Sequence, residues 1–201
     1  MNLKTLTPML ALLLVACASN STRAEPKRLL LAYDGPTAQA ALTTQPRLVV
    51  RAVGVPDYLD RRELVRRVSA TELKRDETAF WAERPGKSIT RWVTLALAAQ
   101  RADYSVESYT TADGRAPDAL LAITLESFEP GADGAVHLRG SWVYAPFGKV
   151  ASKSGRFDAD AKVSDGSAEA HVAALQQALG TAVKNLATQL PAATAAMEPR
   201  R

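Results

Sequence analysis

The residues best suited to chemistry are three carboxylates in the segment VGVPDYLDRRELVRR, residues 53–67. Asp57, Asp60 and Glu63 follow one another at intervals of three residues, and general acid–base catalysis needs such groups to converge on a cleft. Four arginines lie in the same segment, and a neighbouring guanidinium keeps a carboxylate ionised. The segment therefore favours a salt-bridged surface over a catalytic acid cluster.

The rest of the chain offers no other catalytic or metal-binding arrangement. His137 and His171 are far apart in sequence and fall on different predicted elements, so we expect no metal site. Ser152, Lys153 and Ser154 lie in a polar strand pattern, where such residues usually face solvent. The chain has neither a G-x-S-x-G elbow nor a phosphate-binding glycine loop. We therefore expect a protein that is not an enzyme and needs no cofactor.

The N-terminal residues have the layout of an export signal. Lys4 precedes an uncharged run over residues 6–16, which is shorter than the roughly 20 apolar residues of a membrane-spanning helix. Residues 1–16 are therefore predicted to be a signal peptide. The small, polar residues 17–27 that follow are predicted to be a tether.

The end of this run resembles the bacterial lipobox, whose cysteine thiol is diacylated and whose preceding peptide is removed; its residues here are Leu14, Val15, Ala16 and Cys17. Fatty acids such as palmitate on Cys17 would anchor the chain, since each buried methylene contributes roughly 0.8 kcal/mol. In bacterial lipoproteins an aspartate after the cysteine favours the inner membrane, but here Ala18 follows. The predicted location is the periplasmic face of the outer membrane. In the alternative interpretation Cys17 is an ordinary buried thiol.

Strand and helix patterns alternate from Arg28 onward with no repeat, which predicts one α/β domain over residues 28–190. The predicted strands cover residues 28–33, 47–53, 103–109, 118–130, 135–146 and 148–163, and the last of them is polar enough for a sheet edge. Residues 191–201 have nothing to bury and are predicted to be disordered. Basic residues are scattered among acids, 25 against 21, so we expect no nucleic acid partner.

Two amphipathic helices complete the predicted fold. Ser88 is the predicted N-cap of the first, which carries Trp92 on its apolar side. The second runs from Ser167 to Leu190, with a core stripe made by Val172, Leu175, Leu179, Val183, Leu186 and Leu190. A hairpin about Ser69 and Ala70 is predicted before the first helix, although a short helix fits that segment nearly as well.

The segment at residues 53–67, followed by ELKRDETAFWAERPGKSITRWVTLAL at 72–97, resembles the signature of a known family. This is the family of ABC-type transport auxiliary lipoproteins, also described as paraquat-inducible protein C-like. The matching signature residues are Val55, Pro56, Tyr58, Leu59, Asp60, Arg61 and Trp81. One departure is Arg84 before Pro85, where the family tends to place a Pro and Leu directly after W-A-E.

The resemblance implies a fold similar to the TolB amino-terminal domain, a mixed β-sheet with packed helices. It also implies a non-enzymatic lipoprotein that links the MCE-domain protein of an ABC lipid transporter to the outer membrane. A homo-oligomer is left open, and so is the cargo lipid. The signature loop either holds the fold together, with Asp60 fixed beside Arg61, or docks a partner.

The sequence leaves two alternative interpretations open. One is an envelope hydrolase on the same scaffold, which would need a cleft with a perturbed acid or a nucleophile. The other is a lipoprotein that binds a partner by strand addition at the sheet edge GKVASKSGRF, residues 148–157.

Overall fold

The computed structural model describes residues 25–36, 44–110, 115–148 and 151–193; the predicted signal peptide and the lipobox with Cys17 lie outside them. The strands are β1 (Lys27–Leu29), β2 (Arg47–Val50), β3 (Glu63–Arg67), β4 (Leu73–Trp81), β5 (Ser105–Ser108), β6 (Ala119–Ser127), β7 (Ala135–Pro146) and β8 (Lys153–Lys162). The helices are α1 (Pro85–Gln100) and α2 (Ala168–Gln189). No helix among the described residues is long and apolar enough to cross a membrane.

A five-stranded sheet in the order β5-β2-β6-β7-β8 forms the larger half of the fold. β2 is buried along its whole length and runs parallel to both neighbours, as its continuous apolar sequence predicts. β6, β7 and β8 form an antiparallel meander in which alternate residues such as Leu121 and Trp142 face the core. β8 is an edge strand, which confirms the prediction from its polar sequence.

Both helices pack on the core face of this large sheet. The Ser167 hydroxyl accepts a hydrogen bond from the backbone N–H of Ala170 at 3.1 Å and caps α2, which begins close to the predicted residue. Every residue of the predicted stripe from Val172 to Leu190 is buried. Trp92 on α1 is buried and meets Tyr33 edge to face, with ring centroids 5.5 Å apart.

A second, three-stranded sheet has the order β1-β4-β3. β3 and β4 form the predicted antiparallel hairpin, which settles the choice against a short helix. β1 runs parallel to the end of β4, where Leu29 and Trp81 pair in register and turn inward. The single mixed sheet that was expected is thus divided in two, because residues 74–78 of β4 are polar and lack the apolar residues that a central strand of a covered sheet requires.

Several boundaries differ from the sequence prediction; β2 and β6, for example, each end three residues before the predicted bound. Ser88 as N-cap was wrong: α1 begins three residues earlier at Pro85, whose fixed φ suits the first helical turn. β1 ends at Leu29 rather than at residue 33. At the C-terminal end, the backbone N–H of Ala193 donates to Asp103 at 2.9 Å, so the packed region continues past residue 190. Residues 194–201 lie outside the described residues.

Candidate functional site

The signature loop, defined here as residues 55–62, forms a closed turn between the two sheets. The carbonyl oxygen of Pro56 accepts hydrogen bonds from the backbone N–H groups of Leu59 at 2.8 Å and Asp60 at 3.0 Å. The Leu59 side chain is buried in the core, and Val55 and Tyr58 pack against it. The apolar residues of the signature therefore fix the loop from within.

Asp60 connects the signature loop to α1. Its Oδ1 accepts a hydrogen bond from the backbone N–H of Gly86 at 3.0 Å, in the first turn of the helix. Arg84, which precedes that helix, donates to the Asp60 carbonyl at 3.3 Å. A carboxylate at this position satisfies an otherwise unpaired amide and is favoured by the helix dipole. The expected pairing with Arg61 is replaced by this longer-range cap.

Glu129 is the residue that sequence analysis missed, and in the structure it contacts Tyr58 of the signature loop. Its carboxylate is almost fully buried and accepts hydrogen bonds from Arg67 Nε at 3.0 Å and from the Tyr58 hydroxyl at 3.3 Å. Its second oxygen accepts from the backbone N–H of Phe128 at 3.1 Å. Burial, and then the charge of Glu129, raises the pKa of Tyr58, while the hydrogen bond to Glu129 raises that of Arg67. The cluster joins the signature loop and β3 to the segment after β6.

A cavity of about 30 Å³ lies beside this cluster, between the hairpin and α2. Leu59, Trp81 and Leu175 are among the apolar side chains around it, and Asp76 and His171 are among the polar ones. Burial, and then the charge of Arg66, lowers the pKa of His171. The volume suits roughly two water molecules and is far below that of a typical small-molecule site.

The three carboxylates first considered for acid–base chemistry lie together on the surface. Together with arginines they line an open depression of about 540 Å³, called here the signature depression; its residues are Asp57, Asp60, Arg61, Arg62, Glu63 and Arg84. Asp60 is engaged by the helix, and Asp57 is exposed. The arrangement provides mixed charge for binding, whereas acid–base catalysis needs a carboxylate with a pKa moved towards neutrality.

Lys153 and His137, which were also considered for chemistry, both contact other residues of the fold. Lys153 donates through Nζ to the carbonyl of Gln189 at 2.7 Å. His137 lies between Asp133 and Asp160, with ring nitrogens 2.8 and 2.9 Å from their carboxylate oxygens. Within the described ranges no group of three or more His, Cys, Asp or Glu residues could hold a metal ion. Trp81 and Trp92 are buried in the core, as predicted.

A comparison with protein families gives a match over most of the chain. The model of a family described as ABC-type transport auxiliary lipoprotein component matches residues 29–199. This range contains the signature loop, both sheets from Leu29 onward and both helices. No curated protein sequence matches the chain significantly.

Two solved structures share the fold. A crystal structure described as that of an uncharacterized protein has a TM-score of 0.70 and 19% identity, covering 83% of this chain and 99% of that chain. A Xanthomonas campestris protein of the DUF330 family has a TM-score of 0.63 and 18% identity, covering 80% of this chain and 92% of that chain. At these identities the likeness concerns the fold, and it confirms a single mixed α/β domain.

Proposed function

Because the chain belongs to the family of ABC-type transport auxiliary lipoprotein components, we propose that it is a lipid-anchored periplasmic adaptor of an MCE-type ABC phospholipid transporter. In this role it links the periplasm-spanning MCE-domain protein to the outer membrane and performs no catalysis. The family description itself implies association with an ABC transport system and a place in the cell envelope. The observation that carries the proposal is the family match across residues 29–199.

The anchor in this proposal is a diacylated Cys17, which becomes the first residue of the mature chain. Leu14, Val15 and Ala16 supply the lipobox that directs this modification. Mass spectrometry of the native protein should find an acylated N-terminal Cys17 and no leader peptide. Membrane fractionation should then recover the protein with the outer membrane. An unmodified thiol with the leader attached would contradict the proposal.

The partner-binding element that we favour is the free edge of β8. This strand is the last of the large sheet, and no described strand pairs with its outer side, so its backbone N–H and C=O groups can accept a strand of another protein. The side chains of Ser152 and Ser154 are exposed at its start. The signature loop is a weaker docking element, because Leu59 and Asp60 are already engaged by the core and by α1.

A photo-crosslinking amino acid at Ser154 tests this proposal in cells. We expect a crosslink to an MCE-domain protein, identified by mass spectrometry. The matched control places the same group at Thr181, which is exposed on α2 away from the sheet edge. Equal crosslinking from both positions, or none to an MCE-domain protein, would argue against β8 as the docking edge.

The hydrolase alternative is favoured by no contact of the described residues.

A further inference from the structure

None of the described helices and strands covers the outer face of the three-stranded sheet, and three residues mark this face. Arg28 on β1, Phe80 on β4 and Glu63 on β3 pair in register across the sheet. The next residues along β1 and β4, Leu29 and Trp81, pack into the core, so the alternation of strands turns Arg28 and Phe80 outward. Leu30 follows Leu29 and is 48% exposed.

This face continues into the signature depression. A second open depression, of about 620 Å³, surrounds Phe80 and is lined also by Leu73, Lys74 and Arg75. Glu63 lines both depressions, so the two are neighbouring parts of one surface. We call this surface the small-sheet face and define it by Arg28, Leu30, Arg61, Arg62, Lys74 and Phe80.

The cations of the small-sheet face are available for binding. Within the described part of the chain, no ion pair or side-chain hydrogen bond is made by Arg28, Arg61, Arg62, Lys74 or Arg75. Four acids that line the two depressions have no ion pair with a described residue, one fewer than these cations: Asp57, Glu63, Asp76 and Glu77. The face therefore carries a small positive excess beside exposed apolar side chains.

The chain outside the described residues enters the fold at this same sheet. β1 begins at Lys27, whose Nζ lies 2.7 Å from Glu169 in the first turn of α2. Cys17 stands ten residues earlier, and a fully extended segment of that length reaches about 35 Å at most. An acyl anchor at Cys17 therefore attaches at the side of the domain that carries the small sheet and the start of α2.

We propose that the small-sheet face lies on the membrane surface, where its arginines and lysine bind the phosphate groups of anionic phospholipids. Leu30 and Phe80 then contact the interfacial region between head groups and acyl chains. This inference rests on the proposed lipid anchor at Cys17. Each basic residue close to an anionic surface shifts the balance between the bound and unbound orientations roughly fivefold. The anchor supplies the attachment to the bilayer, and the face sets the orientation of the domain.

The test uses the full lipidated chain reconstituted into vesicles of phosphatidylcholine with phosphatidylglycerol. A fluorophore is attached at Leu30→Cys, and in a matched variant at Thr188→Cys near the far end of α2. Nineteen helical residues separate position 188 from Glu169, or about 29 Å. We expect the label at position 30 to be protected from the soluble quencher acrylamide, while the label at position 188 stays accessible. In vesicles of phosphatidylcholine alone the protection should decrease.

Charge variants separate binding from mere proximity. Arg61→Gln together with Arg62→Gln should lower the ratio of protected to accessible label roughly fivefold for each charge removed. Lys162→Gln together with Lys184→Gln removes the same charge from exposed positions elsewhere and should leave the ratio unchanged.

Three results would overturn the inference. The first is equal accessibility of the two labels on protein that floats with the vesicles, which leaves the anchor intact. The second is protection of the label at position 30 in the absence of vesicles, since another copy or another protein then covers the face. The third is a chain that does not float at all, because the proposed anchor would then be absent and the inference would fall with it.

Discussion

Both sheets expose charged faces, but the charges of the large sheet are paired with one another. Arg139 lies 2.7 Å from Asp158 and 2.8 Å from Asp160 across β7 and β8, and Arg156 lies 2.6 Å from Glu126 across the sheet. On the small sheet, Arg28 and Arg62 have no such partner among the described residues.

Strand register accounts for this difference. β7 and β8 pair over ten consecutive residues, so opposite charges on neighbouring strands meet repeatedly. β1 contributes only three residues, and the register of β3 against β4 shifts between Glu63 and Val65. The charges of the large sheet are therefore part of its own strand pairing, whereas Arg28 and Arg62 have no ion pair among the described residues and can bind another surface.

The largest expected effect concerns the ion pair between Arg67 and Glu129, which joins the two regions and whose carboxylate is buried. Arg67→Ala leaves the Glu129 carboxylate, 4% exposed, without its cation. Removal of one partner of a buried pair is costly, because the remaining charge is desolvated and uncompensated. We expect the free energy of unfolding to fall by about 3 kcal/mol, as measured by urea denaturation.

Arg66→Ala is the matched control for this change. Arg66 is the exposed neighbour of Arg67 on β3, so its loss should alter the free energy of unfolding by about 0.5 kcal/mol or less. Equal losses in the two variants would mean that the small sheet is not held to the large one through Glu129.

A smaller effect is expected where the signature loop meets α1. Asp60→Ala removes the acceptor for the Gly86 N–H and should lower the free energy of unfolding by about 1 kcal/mol. Asp60→Asn should retain most of the free energy of unfolding that Asp60→Ala loses, because asparagine caps helices nearly as well as aspartate. Asp57→Ala, at an exposed position in the same loop, is the control. A loss at Asp57 equal to that at Asp60 would indicate a general effect of loop charge rather than a cap.

The structure also explains which features could be predicted from sequence. The strands of the meander and the stripe of α2 were predictable, because alternation and helical spacing are local. The partner of Asp60 was not, since Gly86 lies 26 residues away; the only signal was a helix that starts at Pro85 without a capping side chain of its own. The Arg67–Glu129 pair joins residues 62 apart, and no local pattern encodes such a contact.

The division into two sheets was missed for a related reason. Short apolar runs such as residues 28–33 and 47–53 predict strands but not which strands pair. The polar residues at 74–78 were a usable signal, since they are incompatible with a central strand of a covered sheet. What decides the arrangement is the pairing of β1 with the end of β4, where Ala79 and Trp81 turn inward.

The smallest expected effect is a dependence on pH that differs in sign between the two regions. On the large sheet, hydrogen bonds first to Asp160 and then to Asp133 raise the pKa of His137 above 6.5. The resulting stabilisation is complete below the unfolded value of 6.5 and is lost as the pH rises through the raised folded value. Beside the small sheet, burial and then Arg66 lower the pKa of His171.

The neutral form of His171 therefore stabilises the fold above pH 6.5, and this contribution is lost as the pH falls through its lowered folded value. Thermal unfolding at about pH 5 and about pH 9 checks both signs. His137→Gln should be less stable than the unsubstituted protein at the lower pH and should approach it at the higher one. His171→Gln should lose less stability on acidification than the unsubstituted protein, because no buried imidazole then resists protonation beside Arg66. If both variants shifted in the same direction, the two histidines would not occupy opposite electrostatic environments, and the contrast between the paired and unpaired regions would fail at these positions.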